Sequence, residues 1–311
     1  MTPKVSVVIP VFNKAKWIEE TLLSVVNQSY KDWEAVIVDD GSNDESLSII
    51  REFTSHQPGT WKIISQKNQG QCKARNVGIE QSAGEFVAFL DGDDLWEKNK
   101  LEVQVRMLEE NKEAALVICP YLIYEAQGSA RDKRFVLHKN SRRMLQNWLG
   151  LRGFGGGTES TGLVRKSLLT QSGGFDLSLS TSAGLDLTLR LSHLGSILFS
   201  QDTFMKYRIH TGQWHTNLEV LEHDLGALRA KIAHSSKFDM SKIEMEHLAY
   251  LRFQQLRQKA PTNAVVRQRN GIRLNYYLFT LVCSILARNV TARARALFPR
   301  LLTGIPKPYF R

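Results

Sequence analysis

Paired cysteines, glycine-loop phosphate motifs, long hydrophobic runs and late acidic residues are scarce or missing in this 311-residue chain. Each shortage narrows what it can be. Cys72, Cys119 and Cys283 are odd in number, far apart and form no CxxC pair. That argues against a disulfide framework or a cysteine zinc site and fits a reducing compartment. The opening MTPKVSVVIPVF has no basic segment leading into a long apolar stretch, so no signal peptide is expected and a cytoplasmic location is. The most apolar stretch, LNYYLFTLVCSILA, covers 274–287. As a helix it measures about 21 Å, short of a hydrocarbon core of roughly 30 Å, so it does not span. Neither GxxxxGK[ST] nor GxGxxG occurs, which removes the usual glycine loops for phosphate.

What is present is unevenly spread. From Arg229 onward there are 16 Lys/Arg against 3 Asp/Glu, and no acidic residue follows Glu246. The preceding residues carry 25 against 28, so the whole excess of the +10 net charge lies in the last quarter. That asymmetry predicts a near-neutral body joined to a basic tail that meets an anionic surface.

In the body, VSVVIPVF (5–12) and WEAVIVDD (33–40) are short β-branched apolar runs of the kind buried parallel strands need. Between them Trp17, Ile18, Thr21, Leu22, Val25 and Val26 recur at helical spacing, with Asn13 as the expected N-cap. SNDE after Gly41 predicts a capping box through Glu45 and a second helix. WKIIS (61–65), a helix around 70–82, EFVAFLD (85–91), LEVQVRMLEE (101–110) and AALVICPYLIY (114–124) continue the alternation. Strand–helix alternation predicts a doubly wound, Rossmann-like α/β sheet, placed at 1–215. From 216 to 311 the pattern becomes amphipathic helices, expected at 217–236, 241–258, 263–287 and 291–303.

Ligands of open α/β sheets bind beyond the carboxyl ends of the strands. The first strand delivers Pro10, Phe12 and Asn13 there, the second Asp39 and Asp40, and the strand at 85–91 the cluster DGDD, Asp91–Gly92–Asp93–Asp94. Phe12 can stack on a base, and Asp40 can accept from a ring N–H. Three carboxylates in four positions repel one another; as hard oxygen ligands they suit Mg2+ or Mn2+ held with substrate phosphates. The plainer reading is an acidic turn in which Asp caps the next helix and Gly92 eases the backbone.

The stretches VSVVIPVFNKAKWIEETLLSVVNQSYKDWEAVIVDDGSNDES and NQGQCKARNVGIEQSAGEFVAFLDGDDLW closely resemble the family 2 glycosyltransferases of the GT-A fold. A weaker echo runs through GLVRKSLLTQSGGFD (162–176), LDLTLRLSHLG (185–195) and YRIHTGQ (207–213). The resemblance implies a GT-A fold with a C-terminal helical extension, and an inverting enzyme moving sugar from a nucleotide-sugar donor, usually a UDP-sugar, to a glycan or lipid-linked acceptor. It implies that Pro10, Phe12 and Asp40 hold the base. Lys73 and Arg75 then lie beside the phosphates or brace the acids, unless they are exposed helix charges. By the same resemblance Asp91 would face the ribose, Asp93 and Asp94 would reach the metal, and His210 would join them there and close over the pyrophosphate, unless it is simply a satisfied strand-end histidine.

One motif departs from the family. Its base sits in an acidic pair, ED or xD, but here Ala183 and Gly184 occupy those positions and Asp186 follows two later. Asp186 is therefore the expected base, with Glu159 and Asp176 as other carriers. An impaired sugar-nucleotide-binding or scaffold protein is the alternative. On a helix Asp186 and Arg190 would be four apart, so an ion pair competes. Leu185, Leu187, Leu189 and Leu191 alternate strictly, which by periodicity alone predicts a strand. GFGGGTES (153–160) reads as a loop that moves over the acceptor or as a plain connector.

The tail interleaves arginines with aliphatic and aromatic residues, and no helix-turn-helix or RNP-like motif points to nucleic acid. A peripheral contact with an anionic membrane face accounts for it, each nearby Lys/Arg gaining about 1 kcal/mol. Packing of 274–287 on the body, with solvated arginines, is the competing account. Flotation with anionic liposomes separates the two: the membrane account predicts recovery that falls when residues 263–311 are removed, and equal recovery contradicts it.

Overall fold

The computed structural model of the chain describes residues 2–125, 133–135, 159–210 and 218–232. The chain divides into two compact units, Met1–Phe238 and Asp239–Arg311. The helices expected at 241–258, 263–287 and 291–303, Cys283 and the basic tail lie outside the described residues, as does 153–158 of the glycine-rich loop.

The expected alternation is present. β1 (Val5–Val11), α1 (Ile18–Val26), β2 (Trp33–Asp39), α2 (Ser46–His56), β3 (Thr60–Ser65), α3 (Gln71–Gln81) and β4 (Phe86–Phe89) follow in order. Then come β5 (Leu95–Trp96), α4 (Lys100–Glu110), β6 (Ala114–Ile118), β7 (Tyr121–Glu125) and β8 (Lys133–Phe135). The first unit continues with β9 (Gly162–Arg165), α5 (Lys166–Gln171), α6 (Ala183–Leu194), β10 (Ser196–Phe199), β11 (Met205–Ile209) and α7 (Leu218–Ile232). Among the described residues, the main sheet has the order β10-β6-β9-β4-β1-β2-β3. It is parallel except for β9, which runs antiparallel to both β4 and β6. A second sheet, β5-β11-β7-β8, is mixed.

Helices cover both faces, as buried parallel strands require. On one face Val5, Val7, Ile9 and Val11 of β1 meet Ile18 and Leu22 of α1, Ile50 of α2 and Leu101 and Val105 of α4. On the other, Val8, Val36 and Phe89 meet Ala74 and Ile79 of α3 and Ala183, Leu187 and Leu191 of α6. No helix among the described residues is long and apolar enough to cross a membrane.

Four local expectations are corrected. AALVICPYLIY is two strands in two sheets, β6 and β7, broken at Pro120, which has no N–H to give a ladder. The alternating leucines at 185–191 form helix α6; it is buried on most of its circumference, so the 3.6-residue signal is lost. Asn13 does not cap α1, which starts at Ile18. It takes a left-handed conformation (φ 53°) that asparagine tolerates, and its Oδ1 accepts from the Asn43 amide at 2.8 Å. Glu45 makes no side-chain cap; Asp44 Oδ1 accepts from the Ser46 amide at 3.0 Å instead.

α3 approaches the sheet closely because Gly78 has no side chain: a Cβ there would lie 2.2 Å from Val8 Cγ1. Valine is stiff at χ1 and cannot swing aside cheaply. Gly78→Ala is therefore predicted to lose about 1–3 kcal/mol through overpacking. Urea unfolding measures this loss, and an unchanged midpoint would contradict the close-approach account.

Candidate active site

β1, β2 and β4 end side by side, so the turns after Val11, Asp39 and Phe89 share one edge of the sheet. The acidic cluster sits on that edge and is held from several directions. The Thr21 hydroxyl donates to Asp94 O at 2.9 Å, and Ser160 Oγ accepts from the Asp91 amide at 3.0 Å. Trp96 Nε1 donates to Ser160 O at 2.7 Å, which fixes that serine in turn.

Lysine and arginine side chains answer the repulsion among the carboxylates, and a histidine meets one of them. Lys14 Nζ donates to Asp93 Oδ2, and His210 Nε2 lies 3.0 Å from the same oxygen. Arg75 Nη2 donates to Asp91 Oδ1 at 2.7 Å. Arg208 Nε donates to Asp93 O at 2.8 Å, its guanidinium 4.5 Å from the centre of the Trp17 ring. Burial would push the Asp93 carboxyl up, but the His210 hydrogen bond and the Lys14 charge outweigh it and hold it below the usual range. Asp94 goes the other way: burial, reinforced by the charges of Asp93 and Asp91, lifts it well above that range.

The expected trio of metal-facing acids therefore narrows. Asp94 is 1% exposed and turned inward, its Oδ2 accepting from Ser160 Oγ at 2.6 Å and its Oδ1 from the Arg208 amide at 3.2 Å. It braces the turn. Asp93 and His210 converge, brought together because β11 pairs with β5 directly after the cluster. One carboxylate and one imidazole, completed by diphosphate oxygens, make a donor set that fits Mn2+ or Mg2+. Gly92 is buried against Lys14: a Cβ there would lie 3.2 Å from Lys14 Cγ, so the glycine leaves room for the lysine stem.

The nucleotide-side candidates occupy the same edge. Pro10 pairs with Val38 inside the sheet, and Phe12 is half-buried just beyond β1. Asp40 is 3% exposed and accepts from Gln66 Nε2 at 2.7 Å, the Gln69 amide at 2.9 Å and the Gly70 amide at 2.8 Å. It thus fixes the loop into α3 and uses three of the roughly four lone-pair sites of a carboxylate. Arg75 is buried and braces Asp91. Lys73, half-buried on α3, makes no hydrogen bond or ion pair among the described residues.

Asp186 is used differently from the expected base. It is 2% exposed; its Oδ2 accepts from Arg190 Nε at 2.9 Å and Nη2 at 2.6 Å, and its Oδ1 from Lys231 Nζ at 3.0 Å. A base must reach a hydroxyl within hydrogen-bond distance. A sealed carboxylate shared by two cations is placed for holding α6 to α7. Asp176 pairs with the same Lys231. Lys14, Ser160 and Arg208 are the site residues that sequence reasoning missed. A lone lysine after a strand reads as solvated, and only YRIH, already singled out for its histidine, carried a signal for Arg208.

Asp186→Asn is predicted to destabilise the fold by roughly 1–3 kcal/mol, the range for hydrogen bonds to charged groups. Turnover per folded molecule should be retained. Urea unfolding alongside an activity assay checks this, and lost turnover with unchanged stability would contradict it.

The model of glycosyl transferase family 2 matches residues 6–170. The chain is 37% identical over 131 residues to the putative teichuronic acid biosynthesis glycosyltransferase TuaG of Bacillus subtilis, covering 42% of this chain and 52% of that protein. An uncharacterized glycosyltransferase of Rickettsia prowazekii is 30% identical over 230 residues, with 71% and 69% covered. The relative from Rickettsia felis is 44% identical over 110 residues, which is 35% of this chain and only 18% of that protein. Among solved structures, S. aureus TarS 1-349 superposes with a TM-score of 0.62 at 20% identity, over 84% of this chain and 76% of that one. The mannosyltransferase PcManGT of Pyrobaculum calidifontis, in complex with GDP-Man and Mn2+, also gives 0.62, at 18% identity over 96% and 83%. With its α/β sheet matching these structures and more than half of its residues under one family model, the chain belongs to glycosyl transferase family 2 and has the GT-A fold.

Proposed function

We propose that the chain is a metal-dependent, inverting glycosyltransferase that moves a sugar from a nucleotide-sugar donor, a UDP-sugar, to a hydroxyl of a glycan or lipid-linked acceptor in surface-polysaccharide assembly. The observation that carries this reading is the convergence of Asp93 and His210 beside Lys14, at the carboxyl edge of the sheet. The named relatives support the finer points. TarS has been solved with UDP-GlcNAc and with UDP, PcManGT carries Mn2+, and TuaG is assigned to teichuronic acid biosynthesis.

On this reading Pro10, Phe12, Asn13 and Asp40 line the base pocket, Asp91 faces the ribose and Lys73 meets phosphate charge. Asp93 and His210 would hold Mn2+ or Mg2+. The metal, when bound, stabilises the negative charge that builds on the departing diphosphate. Lys14 holds Asp93 ionised before the donor arrives and lies within reach of the same negative charge. Arg75 and Ser160 keep the acidic turn rigid, so the carboxylates need no rearrangement at the moment of reaction. The basic C-terminal region would place the enzyme peripherally on the inner face of a membrane, where lipid-linked acceptors are found.

Asp93→Asn is predicted to weaken Mn2+-dependent UDP binding by roughly 100-fold or more, at least the loss seen when mere supporting residues of metal sites are removed. Titration calorimetry with Mn2+ and with EDTA reads this directly. Undiminished metal-dependent affinity in the variant would contradict the assignment.

A further inference from the structure

Glu159 lies where the acidic pair expected at 183–184 is missing. It directly precedes Ser160, whose hydroxyl and carbonyl are both bound to the acidic turn and Trp96, so its backbone is fixed against the site. Its side chain runs to the first turn of α6. A Cβ built on Gly184 would lie 1.8 Å from Glu159 Oε2 and 2.1 Å from its carboxyl carbon. The carboxylate thus occupies the space that a side chain at 184 would fill, beside the Gly184 amide. That amide is one of the donors a helix start leaves without an internal partner.

Charge links the same group to the donor site. Arg75 donates to Asp91 Oδ1 with Nη2, while its Nη1 lies 3.8 Å from Glu159 Oε1, so one buried guanidinium spans both acids. The Glu159 side chain keeps 20% exposure, whereas that of Asp186 keeps 3%. Of these two carboxylates, only Glu159 is anchored to the acidic turn, and it is the less enclosed of the two.

Resting on the glycosyltransferase reading above, we propose that Glu159 is the general base, its carboxylate reaching from the 159–161 turn into the place vacated at Gly184. The acceptor O–H gives its proton to a Glu159 oxygen. The acceptor oxygen forms the new bond to the anomeric carbon, and the bond from that carbon to the phosphate oxygen breaks, its electron pair leaving with the nucleoside diphosphate. Among the described residues, the groups facing Glu159 are Arg75 and Cys72 from α3, Asp91 from the acidic turn and the Gly184 amide from α6. Burial lifts its carboxyl above the usual glutamate value; Arg75 works against that and Asp91 with it. A base must be deprotonated, so activity falls as pH drops through that raised value.

The test uses the full chain with Mn2+ and the UDP- or GDP-sugar that stabilises it most in a thermal melt, water serving as acceptor and nucleotide release as readout. Glu159→Gln should keep nucleotide affinity while release slows about 10²–10⁴-fold, the usual contribution of a positioned base. The acid limb of the kcat/KM profile should disappear from what remains. Glu159→Gly combined with Gly184→Asp returns a carboxylate to the same space from the helix side and should recover much of the lost rate. Near-normal release by Glu159→Gln would overturn the proposal. So would equal loss of nucleotide affinity and release, which would make Glu159 part of the donor site's support. An unsubstituted chain that binds none of the donors would instead count against the glycosyltransferase reading.

Discussion

Crowding of Asp91, Asp93 and Asp94 at one strand end is the constraint around which the rest of this site is built. Two carboxylates a few ångströms apart in a partly buried place cannot both stay ionised without positive charge nearby. The structure supplies that charge from other segments of the chain, Lys14 after β1, Arg75 on α3 and Arg208 on β11, while His210 adds a hydrogen-bonding partner for Asp93. The outcome is graded. Asp93 is held ionised and Asp94 is pushed toward its neutral form, so adjacent residues divide into a group able to meet a cation and a group that braces the turn.

The sheets explain how so many separate segments meet. Parallel pairing of β1 with β2 and β4 puts three loops on one edge. The short strand β5 then pairs with β11, carrying Arg208 and His210 to the acidic turn from more than a hundred residues away. Antiparallel β9, wedged between β4 and β6, begins just after Ser160 and fixes the turn that carries Glu159. Support and chemistry therefore share the same short elements.

Much of this was legible beforehand because the signals were local. β-branched runs ending in Asn13, Asp40 and the acidic cluster predicted both the strands and their shared edge. What stayed hidden depends on contacts remote in sequence. Ser160 bonds Asp94 across 66 positions, and Lys14 reaches Asp93 across 79. Neither residue stands out in its own neighbourhood. Cap signals misled where a nearby competitor had better geometry, as Asp44 did over Glu45. The leucine alternation at 185–191 misled because a helix buried nearly all round keeps no polar face to mark its period. Asp186 showed the opposite balance: its i,i+4 spacing to Arg190 was visible in the sequence, and the ion pair is what the fold uses.

The role of Asp93 and His210 is the central claim, and anomalous diffraction at the manganese edge tests it most directly. Crystals soaked in MnCl2 and UDP should show one anomalous peak touching Asp93, His210 and the diphosphate, with Asp94 still bonded to Ser160. A bound diphosphate with no anomalous peak beside those side chains would contradict the account.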